Sequence, residues 1–281
     1  MNKKDQYFIG DMSRLCNISK KALRYYDEIN LVPSHRDDCN NYRFYTGESL
    51  LAVPVIKYYK QMGFTLEQMK EFIEGSNSNV FKSIQRSFKE KLLELEQDLV
   101  SIERKHVSVK DWYELIREAE TVIENDIREV SIKFVEPSAI LFQDQLFENN
   151  IKSSIINLVF TKHVEDLDNA ITGPVIINYS SYKDRIAGKE QNIKLLQKTI
   201  MSCQDEYLYE FGGSLMVSSY HIGAHESISE SYLRMELWAR DNGYTLASES
   251  FERYVTDYWT TNNTSKFVTE VLIKASRNGK K

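Results

Sequence analysis

From Phe81 to Ile116, apolar or aromatic residues recur at Phe81, Ile84, Phe88, Leu92, Leu95, Leu99, Ile102, Val109, Tyr113 and Ile116. The steps are mainly three and four, and His106 fills the remaining position, which is the seam of a helix of about five heptads. Residues 81–116 in helical form extend about 54 Å. No small domain covers a stripe of that length, so the chain requires a second helix beside it, parallel or antiparallel. Gly75-Ser76-Asn77-Ser78 breaks and caps the chain just before, which places a dimerisation helix over 76–118. His106 reads as a register-setting or solvent-edge polar residue on the seam rather than as a sensor.

The 75 residues that precede this helix read as a small helical domain. Ile9, Met12, Leu15 and Cys16 share one face of a first helix, and Asn17-Ile18 form a tight turn. Ser19 caps a second helix whose apolar side is Ala22, Leu23 and Tyr26, completing a helix-turn-helix. The second helix of that motif enters the major groove, which points Lys20, Lys21, Arg24 and Tyr25 at DNA. Leu31-Val32-Pro33 ends it, and a polar stretch through Asp38 and Asn40-Asn41 leads to Tyr42-Arg43-Phe44-Tyr45, a hairpin wing that would press Arg43 and its phenols on phosphates. Thr46 caps a third helix running to about Met62. Thr65 and Gln68 form the capping box of a fourth helix, closed by Gly75. The cations are not abundant: this region carries 11 Lys and Arg against 10 Asp and Glu, within a chain of net charge −5. DNA binding must therefore rest on where the cations point.

Ile9-Gly10-Asp11, Leu23-Arg24-Tyr25-Tyr26-Asp27, Leu31, Pro33, Asn41-Tyr42-Arg43-Phe44-Tyr45 and Met62-Gly63-Phe64-Thr65-Leu66-Glu67 together resemble the MerR family of transcription regulators over residues 7–75. The resemblance implies an antiparallel coiled-coil homodimer that binds a palindromic promoter with an over-long spacer and untwists it for RNA polymerase. It also implies DNA contacts from Arg24, Tyr25, Arg43, Tyr45 and Lys60. Asn30 and Asn41 stand where relatives usually have glycine, a mild change because asparagine tolerates positive φ. Pro54 falls inside the third helix, where proline removes a hydrogen bond. A kink or a later start is expected there, either of which shifts Lys57 and Lys60.

Beyond residue 126 the pattern changes to α+β. Val130–Val135 alternates as a half-buried strand, Ala139–Leu146 is a second strand, and Asn149 or Asn150 caps a helix carrying Ile151, Ile155, Leu158 and Val159. Gly173-Pro174 turns the chain into the strand Val175–Tyr179. A comparable order recurs as strand Ser214–Tyr220, a helix opened by the box Ser227-Ile228-Ser229-Glu230 and stopped by Gly243, then strands Tyr244–Tyr254 and Phe267–Ala275. The repeat suggests an internal duplication. Residues 183–205 match neither period.

Gly212-Gly213-Ser214, Asn242-Gly243-Tyr244, Phe251-Glu252-Arg253-Tyr254 and Thr269-Glu270-Val271 resemble the GyrI-like effector-binding domain. The expected architecture is thus multidomain: a winged helix-turn-helix over 1–75, a dimerisation helix over 76–118 and a GyrI-like α+β domain over 126–276. That pairing occurs in regulators of multidrug transporters, where a buried glutamate aligned with Glu252 meets lipophilic cations among aromatic rings. The implied ligand residues here are Glu252, Tyr220 and Tyr254, with Tyr179 and Trp238. On the strand, Phe251, Arg253 and Val255 alternate with Glu252, Tyr254 and Thr256, so the pattern alone leaves the side of Glu252 open, including a solvated pairing with Arg253.

Two other functions compete with a ligand-responsive activator. One is a small-molecule hydrolase using Glu252 and a tyrosine, as some GyrI-like domains are thought to be; no Ser-His-Asp or Cys-His spacing supports it, and the chain is not expected to be an enzyme. The other is an architectural repressor that senses nothing. Cys16, Cys39 and Cys203 are too dispersed for a disulfide framework or a zinc site, and His221 and His225 are not placed as a metal pair, so no metal or cofactor is expected. No apolar run approaches the roughly 20 residues that span a bilayer. The expected setting is cytoplasmic, with promoter DNA, RNA polymerase, a small-molecule effector and a second copy of the chain as partners.

Overall fold

A computed structural model describes residues 6–37, 42–74 and 80–278. The expectations attached to Asp38, Cys39, Asn40, Asn41 and the 75–78 break lie outside the described residues. The chain divides into two compact units, Met1–Val100 and Ser101–Lys281.

In the first unit, Tyr7–Phe8 (β1) leads into Ile9–Leu15 (α1), a turn, and Lys20–Glu28 (α2). Asn17 takes the turn at φ 48°, and Ser19 Oγ accepts the Ala22 amide at 3.1 Å, so the cap anticipated for α2 is formed. Asn30 closes α2 at φ 58°, the left-handed conformation its short amide side chain tolerates. His35–Arg36 (β2) and Arg43–Tyr45 (β3) follow, and the three strands pair in the order β1-β3-β2. Leu66–Glu74 (α4) opens on the reciprocal box: the Thr65 amide donates to Gln68 Oε1 at 2.9 Å and the Gln68 amide to Thr65 Oγ1 at 3.3 Å.

Pro54 neither delays nor divides the third helix, Gly47–Gln61 (α3), which starts on the Thr46 cap. Proline cannot donate to the Leu50 carbonyl four residues back. Cys16 meets that acceptor from α1, its Sγ 4.0 Å from Leu50 O. Next on the same helix, Lys57 Nζ donates to Cys16 O at 2.5 Å, satisfying the carboxyl end of α1.

Val80–Glu124 (α5) is one helix of 45 residues, longer than the expected 76–118. Its beginning turns Ile84 and Phe88 against the core of the first unit, where Phe88 joins Phe64, Phe72 and Tyr59 in a ring cluster. Further along, Leu92, Leu95, Leu99, Ile102, Val109, Tyr113 and Ile116 are 43–69 % exposed. The last turns carry a second apolar face absent from the expected seam, Leu115, Ala119 and Val122, buried with Val255 and Val268.

The second unit is an eight-stranded antiparallel sheet in the order β4-β9-β11-β10-β6-β7-β5-β8. Its strands are Ser131–Val135 (β4), Ser138–Phe147 (β5), Ile171–Tyr179 (β6), Gln191–Thr199 (β7), Leu208–Phe211 (β8), Ser214–Ile222 (β9), Tyr244–Thr256 (β10) and Val268–Arg277 (β11). Two four-stranded halves meet at β6 and β10. The strand before each half crosses to the other: β4 pairs with β9, and β8 with β5. The helices are Ile151–Ile155 (α6), Leu158–Asp166 (α7), Tyr182–Ile186 (α8) and Ser229–Asp241 (α9).

Local patterns were overridden at three places. The single helix expected after Asn150 is two, because Asn157 caps the second through its own side chain. Gly173-Pro174 lies within β6 at a shift of register, where a bulge spares the ladder a missing N–H. Ser227 ends a turn of 3-10 helix and bonds back to Ala224 O, so α9 starts without the predicted box. The unassigned 183–205 stretch supplies the end of α8 and all of β7. No helix among the described residues is long and apolar enough to cross a membrane.

Candidate functional site

On α2, Leu23 and Tyr26 are buried and the opposite side presents Lys20, Lys21, Arg24 and Tyr25 to solvent. Lys60 is exposed at the end of α3. The wing behaves differently. Arg43 Nε donates to Asp27 Oδ2 at 2.9 Å, tying β3 to α2. Partial burial works against the Asp27 charge, but bonds from the Ser34 amide and Arg43 outweigh it and hold the carboxyl below its usual range. Tyr45 is not a surface residue: it has no exposed area and packs in the core with Met12, Leu23 and Val53. Burial pushes its phenol up. The pleat explains the correction, since β3 must seal the core below it.

In the second unit β10 runs through the centre of the sheet, opposite Ile177 of β6 and Val271 of β11 at Glu252. Glu252 has no exposed area, and four donors surround its carboxylate. Oε1 accepts from Arg185 Nε and from Tyr232 OH, each at 2.9 Å. Oε2 accepts from Arg185 Nη2 at 3.3 Å and Tyr254 OH at 2.6 Å. The Arg185 guanidinium lies 5.1 Å from the Tyr179 ring centroid and 5.5 Å from that of Phe147. Burial disfavours its charge, but Glu252 and the phenols around it more than compensate, so it stays protonated. Burial first, and the Glu252 charge second, push the Tyr179, Tyr232 and Tyr254 phenols well up, which keeps all three protonated.

Beside this cluster is a polar cavity of about 490 Å³ bordered by Asn150, Lys152, Arg185, His225, Glu226 and Tyr258. His225 is buried between the Phe267 and Tyr254 rings, and its Nε2 has no hydrogen-bond partner. Burial pushes its imidazole down to about 4, so it is neutral near pH 7.

Arg253 points to the other face, so it is not the partner of Glu252. Its Nε donates to Glu270 Oε2 at 2.8 Å, and its Nη2 bonds to Glu118 of α5. Burial opposes the charge of Glu270, but Arg253 and Lys133 hold its carboxyl below the usual range. Tyr220 belongs to this face too, donating to Glu118 at 2.8 Å, and does not border Glu252. Trp238 stacks on Tyr244, centroids 5.7 Å apart. Of the five residues singled out from the sequence, Glu252, Tyr254 and Tyr179 come together. Arg185, Tyr232, Phe147 and His225 were missed. A buried carboxylate demands a cation, but nothing in the pattern near Arg185 nominates it.

Residues 8–45 match the MerR family of regulatory proteins, and residues 130–275 match the GyrI-like small molecule binding domain. The chain is 34% identical over 132 residues to the multidrug-efflux transporter 1 regulator of Bacillus subtilis, covering 45% of this chain and 48% of that protein. It is 22% identical over 268 residues to the multidrug-efflux transporter 2 regulator of the same organism, covering 90% of each. Among solved structures, the cryo-EM structure of the EcmrR–DNA complex aligns with 96% of this chain and 99% of that one at 21% identity and a TM-score of 0.45.

Proposed function

Because the chain belongs to the GyrI-like family of small-molecule binding domains and carries a MerR-family head, we propose that it is a ligand-responsive transcription regulator. In this reading a homodimer binds a palindromic promoter and untwists its spacer for RNA polymerase when a small lipophilic cation occupies the second unit. The head is residues 1–75, the dimerisation helix 76–118 and the effector domain 126–276. It works in the cytoplasm and by binding, not by turnover. The observation that carries the reading is Glu252, an ionisable group with no exposed area at the centre of the sheet, bonded by Tyr232 and Tyr254 and by Arg185, which itself lies against the Tyr179 and Phe147 rings. A dry carboxylate among rings requires a cation, a place held in this structure by Arg185, and charge pairing with cation–π attraction lets a ligand cation compete for it.

Two features support the rest. The exposed seam on α5 suits a second copy of the same helix, which would cover residues otherwise left in water. Glu252 and Arg253 are consecutive on β10 and face opposite ways, so movement of β10 on occupancy of one side is passed through Arg253 to Glu118 on α5. The exposed cations of α2 and Lys60 at the end of α3 supply the DNA contacts, and Arg43, paired with Asp27, sets the angle of the wing.

The test is in vitro transcription with a cationic dye as effector. Glu252→Gln should weaken dye binding and activation together, and far more for a cationic than for a neutral dye. Glu118→Gln should leave dye affinity within twofold and reduce activation. Equal loss of both dyes in the first variant removes the charge-pairing reading, and unchanged activation in the second removes the route through Arg253. Steady turnover of the bound dye would favour an enzyme instead.

A further inference from the structure

We infer that Arg185 is a tethered occupant of the Glu252 site, and that the effector enters by exchange: a planar amidinium- or guanidinium-type cation takes the place of the Arg185 guanidinium. The inference rests on the effector reading above and narrows its ligand class.

Counting acceptors carries the first step. A carboxylate offers about four lone-pair positions, and Arg185 Nε, Arg185 Nη2, Tyr232 OH and Tyr254 OH fill them. A ligand cation therefore adds nothing to Glu252 unless one donor leaves. Charge balance gives the same result, since a second cation beside Arg185 would leave an uncompensated positive charge in a dry site. Exchange preserves the balance.

Which donor leaves follows from how each is held. Tyr254 projects from the central strand β10, and Tyr232 from α9 stacks on Tyr182 with centroids 5.9 Å apart and also bonds Ser250 Oγ at 2.9 Å. Arg185 comes from α8, a helix of five residues in the connection between β6 and β7. It borders the 490 Å³ cavity together with Ile186, Gly188 and the acidic Glu226, so an outward swing has room and a carboxylate at the rim. Arg185 also leaves a polar group unused: the buried Nε2 of His225, a residue that borders the same cavity, has no hydrogen-bond partner. A ligand of different outline can reach it.

The ligand's chemistry is read from what it replaces. Arg185 meets Glu252 by a two-pronged N–H fork and lies against the Phe147 and Tyr179 rings. A flat cation with paired N–H donors reproduces both contacts. A quaternary ammonium of equal charge has no N–H and forfeits the fork.

Calorimetric titration of the full-length protein, free of DNA, with benzamidinium and with phenyltrimethylammonium tests this. Arg185→Gln should bind benzamidinium at least tenfold more tightly than the unaltered chain and gain less than threefold for phenyltrimethylammonium. Adding Glu252→Gln should abolish the gain. Because Arg185→Gln leaves a buried carboxylate without its cation and puts folding at risk, Arg185→Lys is measured in parallel; it keeps the charge, loses the fork, and should also bind benzamidinium more tightly than the unaltered chain. No gain in either variant, or a gain that survives Glu252→Gln, overturns the exchange. If the unaltered chain nevertheless binds cations in a Glu252-dependent way, the effector reading stands without it; if no protein shows Glu252-dependent binding, both fall.

Discussion

Removing the Glu252 charge while leaving Arg185 in place should be among the most destabilising single changes in the second unit. Glu252→Gln strands a guanidinium whose side chain is 8% exposed, and breaking a buried pair from one side costs about 3–5 kcal/mol. Arg185→Met strands the carboxylate and should cost a similar amount. The double variant removes both charges, keeps an unbranched side chain against Phe147 and Tyr179, and should cost under about 2 kcal/mol, a coupling of several kcal/mol where independent sites would add. In melting temperature each single variant should fall by about 10 °C, at roughly 2–4 °C per kcal/mol for a domain of this size. A chain of two units need not unfold in one step, but Trp112, Trp238 and Trp259 are its three tryptophans and all lie in the second unit. Urea titration followed by tryptophan fluorescence therefore reports on that unit. Single variants costing less than about 1 kcal/mol, or a double variant costing their sum, would refute the buried pair.

On the head, Arg24→Ala should lower promoter affinity and reduce the slope of log affinity against log salt by about one, while Tyr45→Phe should leave DNA binding unchanged because that hydroxyl is buried; filter binding across a salt series separates the two. Pro54→Ala should raise thermal stability by restoring a donor to Leu50 O, and Cys16→Ala should cost less in that background than alone, since the thiol then has no vacancy to serve; additive effects would count against the link. Burial holds His225 at about 4 in the folded chain, against about 6.5 unfolded. Above pH 6.5 neither state is protonated and the residue is neutral to stability; as pH falls towards 4 the unfolded chain takes up a proton the folded one refuses, so stability is lost, by up to about 3 kcal/mol. His225→Phe should therefore gain on the unaltered chain as pH drops from 7.5 to 4.5. Asp257, pushed up to about 6 by burial, slopes the other way but is common to both proteins, so a flat difference would exclude the buried neutral imidazole.

Features that close within a few residues were legible in the order of residues. Ser19 caps the helix it precedes, Thr65 and Gln68 bond each other, Asn17 and Asn30 take positive φ, and the period of three and four from Phe81 onward makes α5 and leaves its seam exposed. Each depends on donors and acceptors one turn apart, and the order of residues fixes that geometry. The same reach failed at Ser227, at Asn157 and at Gly173-Pro174, where packing of the sheet and its helices chose another local solution.

The character of Glu252 was set by long-range packing. An alternating strand states that Glu252 and Arg253 face opposite ways, not which side is dry, and the answer came from α8 and α9 folding over one face while the end of α5 covered the other. The same folding took Tyr220 to the α5 side, kept Tyr254 and Tyr179 by the carboxylate, and buried Tyr45 beneath the wing. Neutralising a buried charge requires a partner from anywhere in the chain, and here it is Arg185, 67 residues away in a stretch with no period of its own.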